Sequence, residues 1–149
     1  MDGNEGETFW KQALAVFGVC VVLYFGGFWA LQHWRTRRGP WEVTFATNAA
    51  GIPALTIAAP GLGLTQVRVV FPGTNLAGFA GPVTVRFDEP ARAAAVPFGR
   101  VKFLDTTYLP GTVTFDLFGH EIELLPRTLI VDKREHPWRS GEELELPAR

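Results

Sequence analysis

The sequence predicts an all-β soluble domain preceded by one N-terminal transmembrane α-helix, and three observations carry that prediction. A stretch of 19 residues without formal charge, Ala13 to Leu31, lies near the start of the chain. Beyond residue 40, apolar and polar residues alternate in short runs. Gly or Pro separates most of those runs.

The apolar stretch comes first. At ~1.5 Å of rise per residue its length matches the ~30 Å hydrocarbon core of a bilayer. Trp10 marks one end and Trp29 and Trp34 the other, as interfacial aromatic anchors do. A cleaved signal peptide needs a basic leader, but here Asp2, Glu5 and Glu7 stand against Lys11 alone, and no small-residue cleavage site follows. Arg35, Arg37 and Arg38 follow the span, so the positive-inside rule places the domain in the cytoplasm and the N-terminus outside, at the cell (inner) membrane. Gly18, Gly26 and Ala30 are eight and four residues apart on one helical face, where small side chains admit a neighbouring helix.

The expected organisation is an acidic tail over 1–8, the membrane helix over 9–34, a basic linker over 35–40 and the β-domain over 41–149. Trp41, Val43 and Phe45 open the strand pattern. Leu55 and Ile57 follow, then Val67, Val69 and Phe71, then Val83, Val85 and Phe87. Val101 with Phe103 comes next, and then Val113, Phe115 and Leu117. Ile122 and Leu124, Leu129 and Val131, and finally Leu144 and Leu146 complete the series. Eight or nine short strands so punctuated predict an antiparallel β-sandwich, Ig-like or related, with a barrel as the alternative. A two-residue turn at Gly119-His120 would set Leu117 opposite Ile122 and Phe115 opposite Leu124. Only a few residues separate span from first strand, which confines the domain to the membrane surface or a neighbouring subunit.

Charge and cysteine usage narrow the function classes. Residues 42–149 hold ten Lys or Arg against twelve Asp or Glu, a balance of −2 that does not suit nucleic-acid binding. The single cysteine, Cys20, lies in the apolar stretch, so the domain has no disulfide and no cysteine-based zinc site. That usage suits a reducing compartment.

Catalytic patterns are sparse. Ser140 is the only serine and lacks the strand-to-helix elbow of a nucleophilic serine. Glu121 with Glu123, and Glu142 with Glu143, read as solvated acids, and Gly61-Leu62-Gly63 is too short to cradle a phosphate. His120 and His136 with a carboxylate could hold a metal, but their spacing follows no ligand pattern. No catalytic, cofactor or metal residue is therefore assigned. Two segments read as partner contacts. Leu76 and Phe79 stand in an uncharged glycine-rich loop, and Arg134, Trp138 and Arg139 belong to residue types favoured at interfaces.

From Ala30 to Trp41, His33 with Trp34 and its arginines is similar to light-harvesting polypeptides, which combine a pigment-ligating His with an interfacial Trp-Arg cluster. There the ligating His lies within the span, whereas His33 lies at its edge, so it reads as an interfacial histidine. The resulting expectation is a non-catalytic accessory subunit of a multi-subunit membrane complex, photosynthetic, respiratory or transport. Its partners would be lipid and other membrane subunits. The alternatives are a tethered module that recruits a soluble partner and, less favoured, an anchored enzyme or metal carrier.

Overall fold

The computed structural model describes residues 3–36, 38–90 and 95–149; the side chains of residues 3–5, 35 and 36, together with Arg37, lie outside that description. The chain forms two compact units, one ending at Arg35 and one beginning at Thr36.

The first unit is the helix α1 (Gly3–Thr36). It begins before the apolar stretch, so residues 3–8 of the expected tail are helical. Residues Gly6–Trp34 form one segment long and apolar enough to cross a membrane. Apolar side chains point outward all round it. Phe17, Val22, Leu23, Phe25 and Trp29 are each 64–71% exposed. A helix apolar on every face has no polar side to turn toward water.

The described residues of the second unit form ten strands: β1 (Trp41–Thr47), β2 (Pro53–Ala59), β3 (Leu64–Val70), β4 (Val83–Phe87), β5 (Arg100–Asp105), β6 (Thr112–Leu117), β7 (His120–Leu124), β8 (Thr128–Val131), β9 (Arg134–Pro137) and β10 (Glu143–Glu145). They make two five-stranded sheets, ordered β10-β3-β2-β1-β4 and β5-β6-β7-β8-β9. β10 runs parallel to β3, and every other pair is antiparallel. Neither sheet closes on itself, which removes the barrel alternative.

Period-two alternation decides which residues enter the core. Trp41, Val43 and Phe45 of β1, Leu55 and Ile57 of β2, and Val113, Phe115 and Leu117 of β6 are fully buried in one cluster fed by both sheets. Phe115 receives Phe45 and Phe87 edge-on, at centroid distances of 6.2 and 5.4 Å. Trp41 donates its indole N–H to the Gly111 carbonyl at 3.0 Å, so the first domain residue is fixed as well as buried. Gly61 serves the same end: a Cβ there would lie 1.8 Å from the Arg38 carbonyl oxygen. Only a residue without a side chain lets the segment leading into β1 cross so close to the turn Pro60–Leu62.

Three local expectations are corrected. Val101 and Phe103 do not share a face, because a bulge between them shifts the β5–β6 register. Leu104 packs on the core instead, and Phe103 is 56% exposed opposite Thr114. Val83, expected to point inward, is 43% exposed on the edge strand β4.

The β6–β7 turn is the third. It lies at Phe118-Gly119, not Gly119-His120, with Leu117 opposite His120, Phe115 opposite Ile122 and Val113 opposite Leu124. Both turn residues have positive φ, +51° and +84°, the pairing that suits the twist of a two-residue hairpin. Phe118 accepts this backbone while its ring packs on Phe71 at 4.9 Å and Phe98 at 5.6 Å. The shift is two residues along β7, so the same side chains face inward. Its consequence is that His120 becomes the first residue of a strand and is buried.

Candidate functional site

The most developed polar site of the domain follows from that burial. His120 stands among apolar residues at 3% exposure, with Phe71 stacked obliquely at 6.5 Å. Its Nδ1 faces Asp132 Oδ2 at 2.6 Å and its Nε2 faces the Pro147 carbonyl at 2.8 Å. A carbonyl and a carboxylate only accept, so the arrangement is complete when both ring nitrogens donate. Asp132 also accepts the Glu121 backbone N–H on Oδ1 at 3.0 Å and the Arg149 guanidinium on Oδ2 at 3.0 Å. Burial pushes the Asp132 carboxyl up. The His120 and Glu121 hydrogen bonds and the His120 and Arg149 charges outweigh burial and hold it below the usual carboxylate range.

Asp132 can reach His120 because of the turn it occupies. With Lys133 it links β8 to β9 at φ +49° and +67°, left-handed values that an Asp tolerates better than most residues. The segment read from sequence as a partner contact at Arg134, Trp138 and Arg139 therefore begins in a hairpin, with Val131 opposite Arg134 and Leu129 opposite His136. Arg134 and His136 alternate onto one face of β9, and Glu135 onto the other.

A cleft of about 490 Å³ is lined by His120, Asp132, Arg134 and His136 on one side and by Leu146 to Arg149 on the other. The second wall is pinned by backbone bonds from Leu146 to Val70, Ala148 to Pro72 and Arg149 to Phe118. His120 and His136 line the same cleft as Asp132, but among the described residues no three His, Cys, Asp or Glu side chains are grouped closely enough to hold a metal ion. Both nitrogens of His120 are already engaged, and a metal ligand needs a free lone pair.

The other sequence-derived residues divide between the units. Gly18 and Gly26 have open space around them on α1, and Ala30 lies one turn beyond Gly26. Trp10, Trp29 and Trp34 are 57–68% exposed, and His33 stacks on Trp29 at 5.3 Å. Arg37 and the Arg35 side chain fall outside the described residues; Arg38 is half-buried. Leu76 and Phe79 fold back onto the core, Phe79 meeting Phe98 edge-on at 5.7 Å, and remain half-exposed. Trp138 packs at a tilt against Trp41 at 5.2 Å and donates to the Leu125 carbonyl at 2.7 Å, while Arg134 and Arg139 are exposed. Sequence reasoning did not find the His120–Asp132–Pro147 linkage; an Asp-Lys turn between apolar and polar runs was the available signal.

No family model, curated protein or solved structure matches the chain.

Proposed function

We propose that the chain is a non-catalytic accessory subunit of a multi-subunit membrane complex, of photosynthetic, respiratory or transport type. The observation that carries this reading is α1 itself, 34 residues long with large apolar side chains exposed on every side. A bilayer covers such a surface, and Gly18, Gly26 and Ala30 offer the face along which a partner helix packs closely. Four residues separate Thr36 from Trp41, a reach of about 14 Å when extended, so the domain stays near the membrane surface. The arginines that follow the span favour the cytoplasmic side of the cell membrane. In this reading the two sheets, joined through one core, form an Ig-like or related sandwich that rests on the surface-exposed part of the complex.

Blue-native electrophoresis of the chain extracted in mild detergent tests the proposal, with mass spectrometry of its band. Co-migration with one large assembly in fixed stoichiometry, lost on Gly18→Leu with Gly26→Leu, is the expected result. Migration as a small species without other subunits would overturn it. A second reading, a membrane-tethered module that recruits a soluble ligand, is favoured by the cleft beside His120.

A further inference from the structure

We propose that the cleft between β9 and the segment after β10 binds an oxyanion, a carboxylate or phosphate group, on Arg134, His136 and Arg149. The charge inventory of the cleft leads there. Among its lining side chains Asp132 is the carboxylate, and it is taken up by the His120 ring, the Glu121 N–H and the Arg149 guanidinium. Glu135, the nearest acid in sequence, alternates onto the opposite face of β9. Glu121 is engaged outside the cleft by Lys102. The polar side chains that remain to face a ligand are cationic or hydrogen-bond donating: the exposed Arg134 guanidinium, the half-buried His136 ring and the outer part of Arg149. Guanidinium groups match the planar geometry of carboxylate and phosphate oxygens.

The cleft is also built to stay open. The β8–β9 turn sets the spacing of Arg134 and His136 on one wall, and three backbone bonds hold Leu146 to Arg149 on the other. His120 joins the walls at their base, from Asp132 to the Pro147 carbonyl. It acts as a positioning residue and does not touch the ligand, since neither ring nitrogen is free. Such binding needs only the domain's own residues, and a volume of about 490 Å³ accommodates a small organic acid or phosphate ester.

The test is NMR on the full chain in detergent micelles, following Arg side-chain N–H and His ring signals. Inorganic phosphate or succinate replaces chloride at constant ionic strength. Saturable shifts at Arg134, His136 and Arg149, without matching shifts at the exposed Arg127 and Arg139, are expected. Arg134→Gln with His136→Gln should weaken binding about tenfold or more while leaving the backbone spectrum dispersed. Saturation by phosphate alone assigns a phosphate ligand, and by succinate alone a carboxylate. Equal, unsaturable shifts at all arginines, no shifts at all, or unchanged affinity in the double variant would overturn the proposal.

Discussion

The helix and the β-domain use the same apolar residue types to opposite ends. Phe17, Phe25 and Phe28 of α1 are 55–67% exposed, whereas Phe45, Phe87 and Phe115 of the domain are fully buried. In the domain, the buried side chains of both sheets cover one another in a single core cluster. α1 carries as dense an apolar surface with no cover from within its own unit. Burial of its side chains must therefore come from outside the unit, which is the physical content of the membrane assignment.

The contrast is easiest to break where burial is complete. Phe115→Ala removes the ring that receives Phe45 and Phe87, and should cost the domain about 3–5 kcal/mol. Urea unfolding in detergent, read by near-ultraviolet circular dichroism of the Trp41–Trp138 pair, measures it. Phe25→Ala should leave that transition within about 0.5 kcal/mol. Equal effects of the two would erase the distinction between the units.

The next effect concerns α1. Val22→Arg, near the middle of the span, should disfavour insertion by about 2.5–3.5 kcal/mol, seen as a carbonate-extractable fraction that wild type lacks. Thr107→Arg at an exposed domain position should leave the extractable fraction unchanged.

A smaller loss is expected at the buried polar linkage. Asp132→Asn keeps the shape but weakens the contact to His120 and Arg149, at about 1–3 kcal/mol of domain stability at neutral pH. The same variant sharpens the pH dependence. The folded Asp132 carboxyl titrates below its unfolded value, so its stabilisation is complete above about pH 4 and is lost as pH falls through the folded value. Asp105, held low by hydrogen bonds from Thr107, acts in the same direction in both proteins. Wild type should therefore lose stability more steeply than Asp132→Asn below about pH 4. Parallel acid limbs would show that Asp132 contributes nothing.

The parts legible in the sequence were those governed by a strong period. The uncharged run from Ala13 to Leu31 and the Val113-Phe115-Leu117 alternation each lead to one structural solution. The alternation fails where one residue is inserted, as Lys102 is at the β5 bulge, since an extra residue reverses every face beyond it. β9 was illegible because Arg-Glu-His-Pro has no apolar alternation; its strand depends on the turn at Asp132-Lys133. The candidate cleft was illegible for a related reason. His120 and Pro147 are 27 residues apart, and only the packing of the segment after β10 beside β7 makes one the hydrogen-bond partner of the other.

Site-directed labelling tests the anchored, cytoplasm-facing arrangement most directly. Arg127→Cys, in a Cys20→Ser background, gives one exposed thiol in the domain; Cys20 alone gives one within the span. A membrane-impermeant maleimide should modify Arg127→Cys in inverted membrane vesicles and not in right-side-out ones, and should leave Cys20 unmodified in both until detergent is added. Labelling of Cys20 in intact vesicles would contradict the membrane span, and labelling of Arg127→Cys only in right-side-out vesicles would contradict the orientation.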